Sequence, residues 1–266
     1  MIAPRERVLS LSDGAQTTLQ QWGERGPLLV GVHGLGSSRR GWARIGEYLG
    51  DRYRVVAFDQ RGHGDSAVKG PMTFERSVDD LAGVVASLGE PVHALLGHSW
   101  GGAVVVAGGR RLDVARVVAF DPMLRVHPGV WSAQTLPEYR KQLSQALDER
   151  EASIRRSYAA LPEVETESKL HATRRLTIEP VEALGTDNDI DGGRWDLREL
   201  VAGYPKPLLL ALADPKRSVV LDDEREQFRA KGGEHVRIEV FAGASHSLQR
   251  DAFDQVMPVV EAFLAG

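Results

Sequence analysis

The chain contains no cysteine. No disulfide framework, thiolate nucleophile or cysteine-bound zinc site can be built from it. Long hydrophobic runs are missing too. The longest, such as residues 208–213, have the length of a strand, well short of the roughly 18 residues that a membrane-spanning helix needs. The opening residues MIAPRERVLS are broken by Arg5, Glu6 and Arg7, with no apolar run behind them. No secretory leader is therefore expected, and the reading is a soluble cytoplasmic protein. Charge of one sign is also lacking. A net charge of −4 from 33 basic and 37 acidic residues offers no basic field for nucleic acid or an anionic membrane surface. What is present is ordinary globular material: 42% hydrophobic and 26% charged residues exclude a disordered, collagenous or repeat-dominated chain. A length of 266 residues suits one large α/β domain carrying an insertion.

Short apolar runs recur at 28–32, 55–58, 94–96, 117–120, 208–213 and 238–241. They are rich in Val and Leu and scarcely alternate with polar residues, the pattern of strands buried on both faces of a parallel sheet. Ahead of them, 8–11 and 18–22 flank Asp13-Gly14, which predicts an antiparallel hairpin at the sheet edge. Helical periodicity fills the gaps. Val78, Leu81, Ala82 and Val85 share one face, Thr73 can cap that helix, Glu75 suits its positive end and Gly89 lies just past its last turn. Residues 251–264 predict a closing helix with Phe253, Val256, Val260 and Phe263 on one side. Strands alternating with helices imply a doubly wound α/β sheet. One stretch breaks the rhythm. Between 120 and 208 there is no strand-like run, and Tyr139, Leu143, Leu147, Ile154 and Tyr158 fall on one face of a long helix. The expected organisation is a core of residues 1–122 and 205–266 with a helical insertion at 123–204.

The chemistry concentrates in three loops. Gly97-His98-Ser99-Trp100-Gly101 joins a predicted strand to a helix of small residues. A sharp turn of this Gly-x-Ser-x-Gly type exposes the serine hydroxyl at the end of the strand, and a helix start behind it supplies backbone N–H groups. His33-Gly34-Leu35-Gly36 follows the third strand. The N–H groups of Leu35 and Trp100 can then converge as an oxyanion hole. This loop is no dinucleotide fingerprint, because the position of the third glycine holds Arg39. Asp59-Gln60-Arg61-Gly62-His63-Gly64-Asp65-Ser66 follows the next strand, with Asp59 and His63 read as braces of the loops beside the site.

Taken in order, these three loops resemble the α/β-hydrolase superfamily, in its capped serine hydrolase or esterase form. The resemblance covers the whole chain except the insertion, which corresponds to that family's variable cap. It implies the α/β-hydrolase fold, an eight-stranded, mostly parallel sheet with strand 2 antiparallel, flanked by helices. It also implies Ser99 as nucleophile, with an acid and then a histidine following it in the chain. His246, in Gly243-Ala244-Ser245-His246-Ser247 between the last strand and the last helix, is the expected base. Of the other histidines, His98 is expected to brace the turn, His33 to belong to the oxyanion loop, and His93 and His235 to flank strands. His127 and His171 are expected to face solvent from the cap. Asp214, after the run 208–213, is the favoured acid. Asp121, in Phe120-Asp121-Pro122, is the alternative, because one common form of the pattern has its acid where this chain has Lys216.

A metal is not expected. Asp187-Asn188-Asp189-Ile190-Asp191-Gly192 opens like a calcium loop, but its twelfth position is Arg198 instead of Glu. The reading is an acidic loop leading into a helix at 195–201, with no metal and no cofactor. Met123, Val126, Val130, Trp131, Leu136, Leu143 and Leu147 in the insertion, with Trp100, suggest a largely apolar acyl or aryl pocket, with Gly34, Trp131 and Leu143 as lining. The expected reaction is hydrolysis of a carboxylic ester or lactone through an acyl-enzyme on Ser99. The alternatives are other triad chemistry, namely carbon–carbon bond hydrolysis, amide or aminopeptide cleavage or cofactor-free perhydrolysis, and a non-enzymatic ligand receptor on the same fold. Haloalkane dehalogenase and epoxide hydrolase are disfavoured, since those relatives use Asp where this chain has Ser99. The expected partner is a small ester-like molecule, and a homodimer is the commonest assembly for such a chain.

Overall fold

The computed structural model describes residues 4–66 and 70–266. The first three residues, on which part of the leader reading falls, lie outside the described residues. Eight strands form one sheet: β1 (Arg5–Ser10), β2 (Gln16–Trp22), β3 (Leu28–Val32), β4 (Arg54–Phe58), β5 (Val92–His98), β6 (Val114–Phe120), β7 (Leu208–Leu212) and β8 (Val236–Val240). Their order is β1-β2-β4-β3-β5-β6-β7-β8. β2 runs antiparallel to both its neighbours, as expected, and β3 to β8 pair in parallel.

The central strands are buried on both faces because alternate side chains feed two separate cores. Leu28, Val30 and Val32 join one core, while Leu29 joins the other. Leu208, Leu210 and Leu212 divide from Leu209 and Ala211 in the same way. The second core is closed by α1 (Ala43–Leu49), which contributes Ile45 and Leu49. The first is closed by α2 (Phe74–Leu88), with Val78, Leu81 and Val84 inward, and by α3 (Trp100–Arg111). Thr73 caps α2 by accepting the Arg76 N–H, and Gly89 ends it in the left-handed conformation.

Between β6 and β7 the chain makes a π-helical turn (Trp131–Thr135) and four helices, α4 (Leu136–Leu143), α5 (Leu147–Ser157), α6 (Glu163–Arg175) and α7 (Glu179–Asp187). The single long helix expected across Tyr139 to Tyr158 is two helices. Ala146 is extended, at ψ 148°, and Leu147 is 41% exposed instead of sharing a buried face. The charges explain the break. Arg140 and Lys141 stand in the last turn of α4, while Asp148 and Glu149 stand in the first turn of α5. Each set complements a helix end, so the charge pattern favours two dipoles over one.

The acidic loop ties the insertion to the core. Asp187 accepts the Met72 N–H at 2.6 Å and Asn188 the Phe74 N–H at 2.7 Å; within the same stretch, Asp191 accepts the Ser132 N–H. The helix expected at 195–201 is one short turn (Arg198–Leu200), because Asp196 is held in a bridge to Arg125. The chain closes with α8 (Asp222–Lys231), a short α9 (Leu248–Asp251) and α10 (Phe253–Ala265). Phe253, Val256 and Val260 of α10 pack on the second core, with Phe263 partly buried beside them. No helix among the described residues is long and apolar enough to cross a membrane.

Candidate active site

β5 delivers the chain into a turn at Ser99, whose backbone sits at φ 56° and ψ −117°. Such a conformation costs a non-glycine residue on the order of 1–3 kcal/mol and persists only where its surroundings enforce it. The glycines on either side are the enforcement. A Cβ on Gly97 would overlap the Gly101 carbonyl, and one on Gly101 would overlap the carbonyls of Val32 and His33. The turn can therefore be as tight as it is only with glycine at both places. Immediately behind it, Trp100 opens α3, whose first N–H groups have no partner within the helix.

His246 stands on the loop after β8. Its Nδ1 donates to Asp121 Oδ2 at 2.7 Å, which leaves Nε2, across the ring, free to face away from the carboxylate. Asp121 ends β6 with a left-handed backbone, at φ 41°, and is fully buried. Four donors converge on its carboxylate: His246, Ser218 Oγ at 2.5 Å, Val219 N at 3.0 Å and Ala213 N at 3.2 Å. Burial pushes the Asp121 carboxyl up, but the hydrogen bonds from His246, Ser218 and Val219 outweigh it and hold the group below its ordinary range.

Asp214, the favoured acid of the sequence reading, does not meet His246. Its two oxygens accept the N–H groups of Lys216 at 3.0 Å and Gly243 at 2.8 Å. Its carboxylate therefore pins the loop after β7 to the loop after β8. Asp121 lies one strand closer to the sheet centre and meets Ser218 and Val219 of the loop after β7, whereas Asp214 is consumed by its own turn and the loop after β8.

His98 braces more than the turn. Its Nε2 donates to the His246 carbonyl at 2.9 Å, and the two rings lie 4.7 Å apart. Burial, then the charge of the His246 ring, pulls His98 down to about 3, so it stands neutral and holds the backbone of its neighbour. His33 is also a neutral brace. Its Nδ1 donates to the Gly34 carbonyl at 2.8 Å and its Nε2 accepts the Gln60 N–H at 3.0 Å, which fixes the loop that carries Leu35. Burial, then His63, depresses its pKa well below the ordinary histidine range. Asp59 accepts from the Arg39 side chain at 2.5 Å and from the N–H groups of Arg39 and Asp65, and His63 Nδ1 donates to the Arg61 carbonyl at 2.8 Å. Both are braces, as read from the sequence.

Ser99, His246 and Leu35 line one cavity of about 600 Å³. Met123, Val126, Val130 and Trp131 supply its apolar wall, but Arg125, Gln134, Glu138 and Glu224 face it too, so the wall is mixed. Gly34 and Leu143 are not among its lining residues. A Cβ at Gly34 would stand 3.0 Å from Ser99 Cβ and 3.1 Å from His98 Nδ1, so Gly34 packs behind the turn. Leu143 is spent on the core. The Trp100 ring also leaves the pocket, stacked on Trp195 at 4.6 Å. His171, expected at the surface, is buried between Ser38 Oγ and Asp65 Oδ2.

The chain is similar to several known proteins. Over 101 residues, 36% of its length, it is 37% identical to "Probable oxidoreductase EphD" of Mycobacterium tuberculosis, of which the match spans 17%. Over 155 residues, 55% of its length, it is 31% identical to lipase LipV of the same organism, of which it spans 56%. The crystal structure of E-2-(acetamidomethylene)succinate hydrolase superposes with a TM-score of 0.78 at 20% identity, covering 99% of this chain and 100% of the other; at that identity the likeness is one of fold. The family model described as the alpha/beta hydrolase family matches residues 29–259, which take in β3 to β8 but for Leu28 and the loops that carry Leu35, Ser99, Asp121 and His246, and the chain belongs to that family.

Proposed function

We propose that the protein is a serine hydrolase that cleaves a carboxylic ester or lactone. One observation carries the reading: the His246 ring, anchored through Nδ1 on a buried, four-donor carboxylate, opens on the cavity that Ser99 also lines. A serine hydroxyl is a poor nucleophile at neutral pH and needs a base of this kind. His246 Nε2 takes the Ser99 proton as Oγ attacks the carbonyl, Asp121 fixes the tautomer and stabilises the imidazolium, and the proton then passes to the leaving group. The N–H groups of Leu35 and Trp100 hold the oxyanion. Water, activated by the same histidine, releases the acyl group. Residues 123–204 act as the cap over this site.

Turnover of 4-nitrophenyl butyrate, a δ-lactone and a 4-nitroanilide tests the reading. Ester or lactone turnover is expected, falling by on the order of 10³–10⁶ in Ser99→Ala. Turnover of the anilide alone would reassign the bond to an amide, and turnover indifferent to Ser99→Ala would overturn the serine mechanism.

A further inference from the structure

Beside the main cavity lies a second recess of about 100 Å³, and Leu35, His98 and Ser247 form part of both walls. It adjoins the proposed oxyanion loop on one side and the His246 loop on the other. Apart from Gly41, its remaining wall is polar and includes Ser37, Tyr158, Glu165, Lys169, Gln249 and Arg250.

The charges in it are unequally satisfied. Arg250 donates to the Tyr158 hydroxyl at 2.5 Å and to Asp251 at 2.7 Å. Lys169 donates to the Gly36 carbonyl at 3.1 Å, and among the described residues no carboxylate lies within ion-pairing distance of it. An ammonium has three donors, and Lys169, half-buried, has no anion to offset the cost of removing its charge from water. Burial, then the charge of Arg250, accordingly pulls Lys169 down to about 8. Gln249 Oε1 is buried without a hydrogen-bond partner; turning the amide over would place an N–H donor there instead. Glu165 precedes Lys169 by one helical turn on α6, and burial pushes its carboxyl up to about 7, so near neutrality it can stand protonated as a further donor.

We infer that this recess is a carboxylate-recognition subsite, in which Lys169, with Ser37 and Gln249, binds a carboxylate on one arm of the substrate while the scissile carbonyl lies at Ser99. The inference rests on the ester-hydrolase reading for what happens at Ser99, though not for binding in the recess. The recess admits a planar, singly charged group. A phosphate dianion would be larger and would bring two negative charges to one unpaired cation, Lys169.

Two esters place the carboxylate on opposite sides of the scissile bond: mono-4-nitrophenyl glutarate on the acyl side and 4-carboxyphenyl pentanoate on the leaving-group side. For each, kcat/KM is divided by that for neutral 4-nitrophenyl pentanoate. Lys169→Met keeps the length of the stem and removes the charge. It is expected to lower at least one of the two ratios by about 10–100-fold. Calorimetric titration of Ser99→Ala protein with glutarate provides a readout that needs no turnover, and the added Lys169→Met change is expected to weaken binding at least about 10-fold. Both ratios unmoved, with glutarate binding absent or indifferent to Lys169→Met, would overturn the subsite. A protein that turns over no ester yet binds glutarate in a Lys169-dependent way would keep the subsite and overturn the esterase reading. Thermal melting shows whether Lys169→Met is folded; if it is not, Gln249→Leu, at the rim of the same recess, is read by the same ratios and the same titration.

Discussion

At the scale of single residues, the site depends on which carboxylate reaches His246. Asp121 and Asp214 both follow a parallel strand at the same edge of the sheet, so position along the chain does not separate them. The difference lies in partners. Ser218 and Val219, nearly a hundred residues further on, converge with His246 on Asp121, while Asp214 is closed by Lys216 and Gly243. An amide at 121 would leave buried donors opposed and favour the wrong imidazole tautomer, at a cost of on the order of 10³–10⁴ in turnover. An amide at 214 still accepts through its remaining oxygen in a solvent-accessible turn, and turnover changes by a few-fold at most. The turn at Ser99 and the loop at His246 stand out in the local sequence because each has its own pattern of small residues. Which carboxylate meets His246 was not legible, because hydrogen bonds between distant loops select it. Its left-handed backbone at φ 41° suits aspartate, which tolerates that region better than most residues, but such a preference is too weak to read from a sequence.

At the scale of elements, the turn at Ser99 stores strain that the glycine contacts around it hold in place. Ser99→Ala keeps the strained φ of 56°, whereas Ser99→Gly relieves it. Against the usual advantage of alanine over glycine in chain entropy, Ser99→Gly is expected to be more stable than Ser99→Ala by about 1 kcal/mol. Urea melts of the two variants measure this, and a glycine variant less stable than the alanine one would contradict enforced strain. The strands were legible because burial on both faces demands continuous Val and Leu runs, and the hairpin was legible from Asp13-Gly14. The insertion was legible as helical but not in its breaks. The apolar spacing from Tyr139 to Tyr158 fits one long helix, and only the order of charges, basic at 140–141 and acidic at 148–149, marks the two helix ends.

At the scale of the whole molecule, the insertion is joined to the core through buried polar contacts as well as apolar ones. His171 on α6 bonds to Ser38 and Asp65, on the loops after β3 and β4. Arg39 on the same surface is fully buried between Asp59, Asp65 and Glu6. Burial first, then the cations Arg40 and Arg175, pull His171 down to about 4 against the attraction of Asp65. Its native pKa thus lies below that of the unfolded chain, near 6.5. The unfolded state binds more protons between those values, so the contribution of His171 is complete above pH of about 6.5 and is lost as pH falls through about 4. Relative to His171→Asn, the protein is expected to lose about 1 kcal/mol of stability per pH unit across that window, as read from denaturant midpoints. Parallel stability curves for the two proteins would contradict a neutral, buried His171. This buried tie was not legible: a histidine in a charged helix reads as a surface residue until the loops it meets are known.

The most direct test of the central claim is the rate at which a fluorophosphonate modifies Ser99, followed by mass spectrometry in the unaltered protein, Asp121→Asn and Asp214→Asn. The account predicts a single adduct on Ser99, forming at nearly the same rate in the unaltered protein and Asp214→Asn and slowed by on the order of 10³ in Asp121→Asn. An adduct elsewhere, or a reaction slowed by Asp214→Asn and untouched by Asp121→Asn, would contradict it.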